Sequence, residues 1–457
     1  MSPFAVWTLT QEARALQTRI ARIRPFATLE PMVPAAAILP RAQSAIEEYL
    51  VDGRHKLRAQ VQHFIDWVRG PGRSASNAQA QRRFSILRLK FNAVLTQFDL
   101  FSDVITQRSE HETGVWLSGL DVASADGLMF PSSPVEPPPV ICYLDRGAGA
   151  AIRRARTRLP GGGSNPVAVI RVPRERMVGS GIASSLFHEV GHQADSLLSI
   201  SDSLRPILRG MQRGAREDAQ SWQYLERCIS EIVADFFAVA RVGIASSNGL
   251  IAVVSLPRAF VFRLNLDDPH PVPWIRVKLS CAIGDALHPH PQWRRLSDLW
   301  ESFYPIAELD AGRRQFFARL MSTIPAFVSL LANHRPAALR GRLLTEALEV
   351  TERQPARLAE LFRTWSRYPA HLYDARASLV FAVIGQARSD GLLSPEDEST
   401  LLAKALNHWA LRSTLDSAFA CASAPPARRS ASAPAALPRD TRTLMAMVQR
   451  ERLTTIH

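Results

Sequence analysis

Ser185-Leu-Phe-His188-Glu189-Val-Gly-His192-Gln193 decides how the rest of the chain is read. The segment has the form His-Glu-x-x-His, the helical signature of zinc hydrolases. Residues i and i+4 share one face of a helix, so His188 and His192 can hold one ion from the same side. Zinc takes imidazole nitrogen readily and is held by about four ligands. Glu189, beside the first histidine, reaches a water that the metal makes acidic and takes its proton during attack on a carbonyl. Ile182, Leu186, Phe187 and Val190 give this helix an apolar surface to bury. Gly191 costs about 1 kcal/mol of helix propensity relative to alanine, so it marks a place where another backbone comes close.

The third ligand is sought on a second helix. A helical run from Trp222 contains Glu231-Ile-Val-Ala-Asp235-Phe-Phe-Ala. Glu231 and Asp235 are again four apart, on a helix that is otherwise apolar. Alone, they would read as the polar stripe of an amphipathic helix. Beside His188 and His192 they read differently, because carboxylates on an apolar helix are costly unless paired or bound to metal. Glu231 is the expected third ligand. Asp235 is expected to accept the remaining N–H of a ligand histidine and so fix its tautomer. Three protein ligands leave one position for water, the catalytic rather than the structural pattern.

His188-Glu-x-x-His192 followed by Glu231-x-x-Ala-Asp235 resembles the gluzincin metallopeptidases, and within them is most similar to the CAAX-prenyl-protease/HtpX type. That type continues with His-Pro-x-x-x-x-Arg, and His270-Pro-Val-Pro-Trp-Ile-Arg276 stands at the same spacing here. The resemblance implies that Glu231 binds zinc and that His270 and Arg276 line the cleft. There they donate hydrogen bonds to a developing oxyanion or steady the acidic group behind the ligands. It covers residues 165–280. Two departures stand out: no transmembrane helix is readable, and Asp267-Asp268-Pro269 replaces the usual small or hydroxyl residues before His-Pro. The aspartates read as a turn, with a second ion site as the alternative. Substrate class does not carry over.

Composition narrows the classes further. Apolar content of 46% and charged content of 21% in 457 residues describe a globular protein of two or three domains. The net charge of +13 invites a nucleic-acid reading. The basic residues are nearly all arginine, however, and are spread along the chain without a basic arm, which argues against it. Cys142, Cys228, Cys281 and Cys421 form no CxxC pair and read as buried or free thiols. The N-terminus lacks a signal-peptide pattern, and no uninterrupted apolar run reaches the ~18 residues of a membrane span. A cytoplasmic protein is expected.

The expected fold is mainly α (α+β): a zincin-like catalytic core with a small sheet and two metal-binding helices, flanked by helical regions. Residues 1–125 read as a helical N-terminal region and 138–305 as the core. Residues 306–420 read as a helical C-terminal region, 421–438 as a disordered linker and 439–457 as a short basic helix. Val140–Leu144 and Val167–Val172 have strand composition, and 160–166 reads as a hairpin-like loop. The second strand is expected to present an edge beside which a peptide could add. Arg209–Glu217 reads as a charged loop, and His288-Pro-His290-Pro as a turn before a helix near Trp293. Amphipathic helices are expected over 311–333, 341–365, 374–388 and 396–412.

The functional expectation is a zinc-dependent endopeptidase with one Zn2+ per chain. His188, His192 and Glu231 are ligands and Glu189 is the general base. Asp235 orients a ligand, and His270 or Arg276 assists the oxyanion. Its substrate would be a protein or peptide. The alternative is a silent or latent zinc-binding scaffold that meets a protein partner through its helical flanks.

Overall fold

Three short strands separate two apolar cores. The computed structural model describes residues 1–423 apart from 25, 132, 147–148, 160–162, 174–178, 215–217 and 266–267. Strands β1 (Val140–Asp145), β2 (Ala151–Arg153) and β3 (Ala168–Pro173) form a sheet in the order β1-β3-β2. β1 runs parallel to β3, with Cys142 opposite Ile170, and β2 runs antiparallel to β3, with Ile152 opposite Ile170. Alternate residues of a strand face opposite sides. Accordingly Ile141 and Val169 join an N-terminal core, while Cys142, Leu144, Ile170 and Val172 join the larger one.

The N-terminal core is built by α1 (Pro3–Arg22), α2 (Pro40–Arg69) and α3 (Asn77–Thr106). Ser76 and Gln79 form a reciprocal cap that starts α3 after the Gly70–Gly72 break. Helix α4 (His111–Gly127) crosses to the other side of β1. Arg108, fully buried, donates to Asp121 Oδ1 (3.1 Å) and to the Cys142 carbonyl (2.6 Å), tying the start of α4 to β1.

The larger core holds α5 (Gly179–Leu198), α6 (Ile200–Gly214), α7 (Ala219–Arg227), α8 (Ile229–Val242) and α9 (Ile244–Val254). After a four-residue α10 (Arg258–Val261) come α11 (Pro273–Leu287), α12 (Pro291–Phe303) and α13 (Ala311–Ala332). The remainder is α14 (Leu344–Ala347), α15 (Pro355–Arg367), α16 (Ala370–Asp374), α17 (Ala377–Ser389) and α18 (Pro395–Ser423). Residues 1–414 form one compact unit. The protein is mainly helical, with one small sheet. Of the expected linker 421–438, residues 421–423 continue α18; the rest, and the short basic helix at 439–457, lie outside the described residues.

Several local expectations change. β3 is the central strand, so both of its edges are paired, and the exposed edge belongs to β2, which the sequence pattern did not reveal. Arg209–Gly214 is not loop but the end of α6. The run 341–365 is not one helix. Glu349 takes a left-handed backbone (φ 53°) and Pro355 cannot continue a preceding helix, so α14 and α15 are separate. The stretch Ala311–Leu339 contains an 18-residue window of mean hydropathy 1.3, enough by length and composition to cross a membrane. Counting uninterrupted apolar runs missed it because small polar residues intervene. Phe317, Leu320, Ile324, Phe327 and Leu331 of this helix are buried in the core.

Candidate metal centre

Packing of α5 against α8 sets the site. A methyl group on Gly191 would lie 2.8 Å from both Cα and O of Ala234, so only glycine lets the two helices approach this closely. That contact places His188, Glu189 and His192 of α5 opposite Glu231 and Asp235 of α8. Arg276 arrives from the first turn of α11, and His270 from the loop before it.

Ligand atoms of His188, His192 and Glu231 lie within 4.8 Å of one another. His188 Nε2 is 3.3 Å and His192 Nε2 3.4 Å from Glu231 Oε2. Ligands held tetrahedrally at about 2.0–2.1 Å from one ion stand about 3.3–3.4 Å apart. Glu231 Oε2 is also buried without an aligned hydrogen-bond donor among the described residues. Nitrogens therefore gather round a buried carboxylate oxygen without donating to it, an arrangement that is costly unless something sits between them. The donor set fits a metal ion.

The second tier is fully bonded. His188 Nδ1–H donates to Asp235 Oδ1 at 2.8 Å, which leaves Nε2 as the lone-pair nitrogen. Arg276 grips the same carboxylate with two bonds, Nε to Oδ2 at 2.6 Å and Nη2 to Oδ1 at 2.8 Å. Arg276 is thus seated on the acid behind His188. Burial alone would raise the Asp235 carboxyl, but Arg276 outweighs it and holds the group well below the usual range. Glu231 behaves likewise: against its burial, the His188 and His192 rings hold it far down. Burial would lower His188, yet Asp235 raises it to about 9. Glu189 goes the other way, its burial pushing the carboxyl up although both histidines oppose this. A carboxylate moved toward neutrality is a better proton acceptor.

Four of the seven residues singled out in the sequence, His188, Glu189, His270 and Arg276, line one cleft of about 290 Å³, bounded also by Gly149, Ala150, Ser184, Ser185, Leu250 and Val253; Glu231 touches His188, His192 and His270, and Asp235 bonds His188 and Arg276 behind it. A larger cleft of about 870 Å³, lined in part by Asp285, Val328 and Thr351, shares no residue with it. Sequence reasoning missed several wall residues. Ser184 stands one helical turn before His188, which could have flagged it; Leu250, Val253 and the residues leading into β2 carry no local signal. Asp268, read as part of a turn, accepts from His270 Nδ1–H at 2.7 Å and from the His270 backbone N–H at 3.0 Å. Asp267 lies outside the described residues. The other histidine pair is structural: His288 is buried against the Val239 carbonyl, and His290 caps α12.

No family model matches the chain, and no curated protein or solved structure is detectably similar to it.

Proposed function

We propose that the protein is a zinc-dependent metallopeptidase whose α5, α8 and sheet form a zincin-like core. The observation that carries this reading is the convergence of His188 Nε2, His192 Nε2 and Glu231 Oε2 beside a buried Glu189 whose carboxyl is pushed up by its burial. His188, His192 and Glu231 would hold the ion. When bound, zinc supplies Lewis acidity, which makes water a nucleophile near neutral pH and polarises a carbonyl. Glu189 takes the proton of the attacking water and delivers it to the leaving amine. Asp235 keeps His188 in the tautomer that presents Nε2, and Arg276 fixes Asp235 by its two-pronged grip. A buried base beside the ligands favours hydrolysis over the redox chemistry that two histidines and a carboxylate also support with iron.

A peptide substrate suits the surroundings. The outer edge of β2 is unpaired among the described residues, and Gly149 and Ala150, just before it, form one wall of the cleft. An extended peptide can add to such an edge through its backbone. Leu250 and Val253 offer an apolar surface to one side chain, and Ser184 and Ser185 offer hydroxyl groups.

Incubation with an unbiased peptide library, read by mass spectrometry, tests the proposal. Wild type should cleave; Glu189→Gln should keep its metal and lose about 10²–10⁴-fold in rate. Undiminished cleavage by that variant rejects Glu189 as the base.

A further inference from the structure

We propose that Gln193 is a positioning residue for the substrate: it fixes the outer edge of β2 against α5, the helix of His188 and His192, so that a peptide added to that edge meets the site in register. The inference rests on the peptidase reading above and adds the residue that seats the substrate.

Gln193 follows His192 directly on α5 and is only 1% exposed. Its Oε1 accepts the Ala155 N–H at 2.8 Å. Ala155 lies two residues beyond the end of β2 and is itself buried. Among the described residues this is the one hydrogen bond between α5 and the chain from Gly149 to Arg158. The flanking α5 residues Val190 and Ala194 are apolar and buried. A buried amide among them is costly unless it is bonded, and so is a buried backbone N–H without an acceptor. One bond therefore satisfies both elements and couples their positions.

The other end of the strand stands at the cleft. Gly149 and Ala150, immediately before β2, line it together with His188 and Glu189. β2 thus begins beside the proposed base and is tied, just past its end, to the residue after His192. The strand has only three residues, a rise of about 10 Å, so a displacement at its end is passed to the whole edge. β3 occupies the inner edge, with Ala151 opposite Arg171 and Arg153 opposite Val169, which leaves the outer edge for a peptide.

A second bond set shows what is particular to Gln193. Asn165 Nδ2 donates to the Arg153 and Arg154 carbonyls, both at 3.1 Å. These bonds hold the strand end to the segment that follows it, and they do not reach α5. Gln193 is what refers the strand to the helix of the candidate ligands. Register matters there, because a misplacement of about 1 Å at a reacting carbonyl can slow a reaction by ~10²-fold.

The test uses the full chain loaded with Zn2+ and peptides that wild type cleaves in the library, prepared as eight-residue and four-residue versions around the same bond. kcat and KM are measured for wild type, Gln193→Met, Gln193→Asn and Gln193→Glu, with zinc content and hydrogen exchange of the Ala155 amide in each. Gln193→Met keeps the length and removes the acceptor. Gln193→Asn draws the acceptor back and carries the test where Gln193→Met does not fold. Gln193→Glu keeps an acceptor oxygen. The inference predicts that the advantage of the octapeptide over the tetrapeptide in kcat/KM falls about 5–50-fold in Gln193→Met and Gln193→Asn, mainly through KM. Zinc should stay at one per chain, and the Ala155 amide should exchange faster. Gln193→Glu should recover most of the advantage. An unchanged advantage, an equal loss for both lengths or a loss of zinc from the folded variants would overturn the inference. If wild type cleaves both lengths equally well, the β2 edge is not the seat, and the inference fails while the peptidase reading stands. If wild type cleaves nothing, both fail.

Discussion

Helix α8 carries a buried charged assembly at each end, and the two are built on opposite plans. At its start, nitrogens of His188, His192 and His270 surround Glu231 Oε2 without donating to it. At its end, Arg241, Arg353 and Arg376 meet Asp126, Glu349 and a set of backbone carbonyls. Arg353 donates to the Arg241 carbonyl at 2.8 Å, to the Glu349 carbonyl at 3.1 Å and to Ser378 Oγ at 3.1 Å. Arg376 donates to Asp126 at 2.8 Å and to the Glu349 carboxylate, and Arg241 donates to the Met129 carbonyl. Burial, with the like charge of Arg353, pushes Arg241 down to about 9. Both ends bury charge, so burial does not distinguish a site from a strut. The pairing does: most arginine donors at one end meet carboxylates or carbonyls, whereas at the other three ring nitrogens stand 3.3–3.4 Å from one buried carboxylate oxygen that has no aligned donor.

Removing a strut should affect folding and spare the metal. Arg353→Ala should cost about 3–5 kcal/mol of stability in denaturant titration, since it strips a charged group from buried acceptors. Its zinc content should match wild type. Loss of metal in the folded variant would break the distinction between the two ends.

The ends should also respond oppositely to pH. Burial lowers His288, which lies against the Val239 carbonyl of α8, to about 4. The unfolded chain takes up this proton below about pH 6.5 and the folded chain only near 4. Stability from this group is complete above about 6.5 and declines as pH falls toward 4, by up to ~3 kcal/mol. Thermal unfolding of wild type and His288→Asn across that range checks it, and the variant should show a shallower slope. In metal-stripped protein, His188 has the opposite sign. Raised to about 9, it stabilises fully below about 6.5 and loses that contribution as pH climbs toward 9.

A smaller effect sharpens the contrast. Asp235→Asn keeps the shape of the group behind His188 but removes its charge, and should weaken zinc binding about 10–100-fold in chelator competition. An unchanged affinity would mean that Asp235 serves packing alone.

The candidate ligands were legible because helical spacing is local. His188 with His192, and Glu231 with Asp235, share faces whatever the tertiary fold, and Gly191 announced the close contact that joins the two helices. What stayed hidden depends on contacts distant in sequence. Arg376 meets Asp126 across 250 residues, and no periodicity encodes that. β2 has three residues, too few for an alternation to show. Asp268 sat in an apparent turn, and its two bonds to His270 show only in the folded loop. The break at Glu349 was masked because amphipathic spacing continues on both sides of it.

The most direct test is elemental analysis of the full chain after loading with equimolar zinc and desalting. Wild type should hold one zinc per chain, and His192→Ala and Glu231→Ala should hold none above background while remaining folded. Zinc absent from wild type, or retained in full by both variants, would contradict the metal centre on which the account rests.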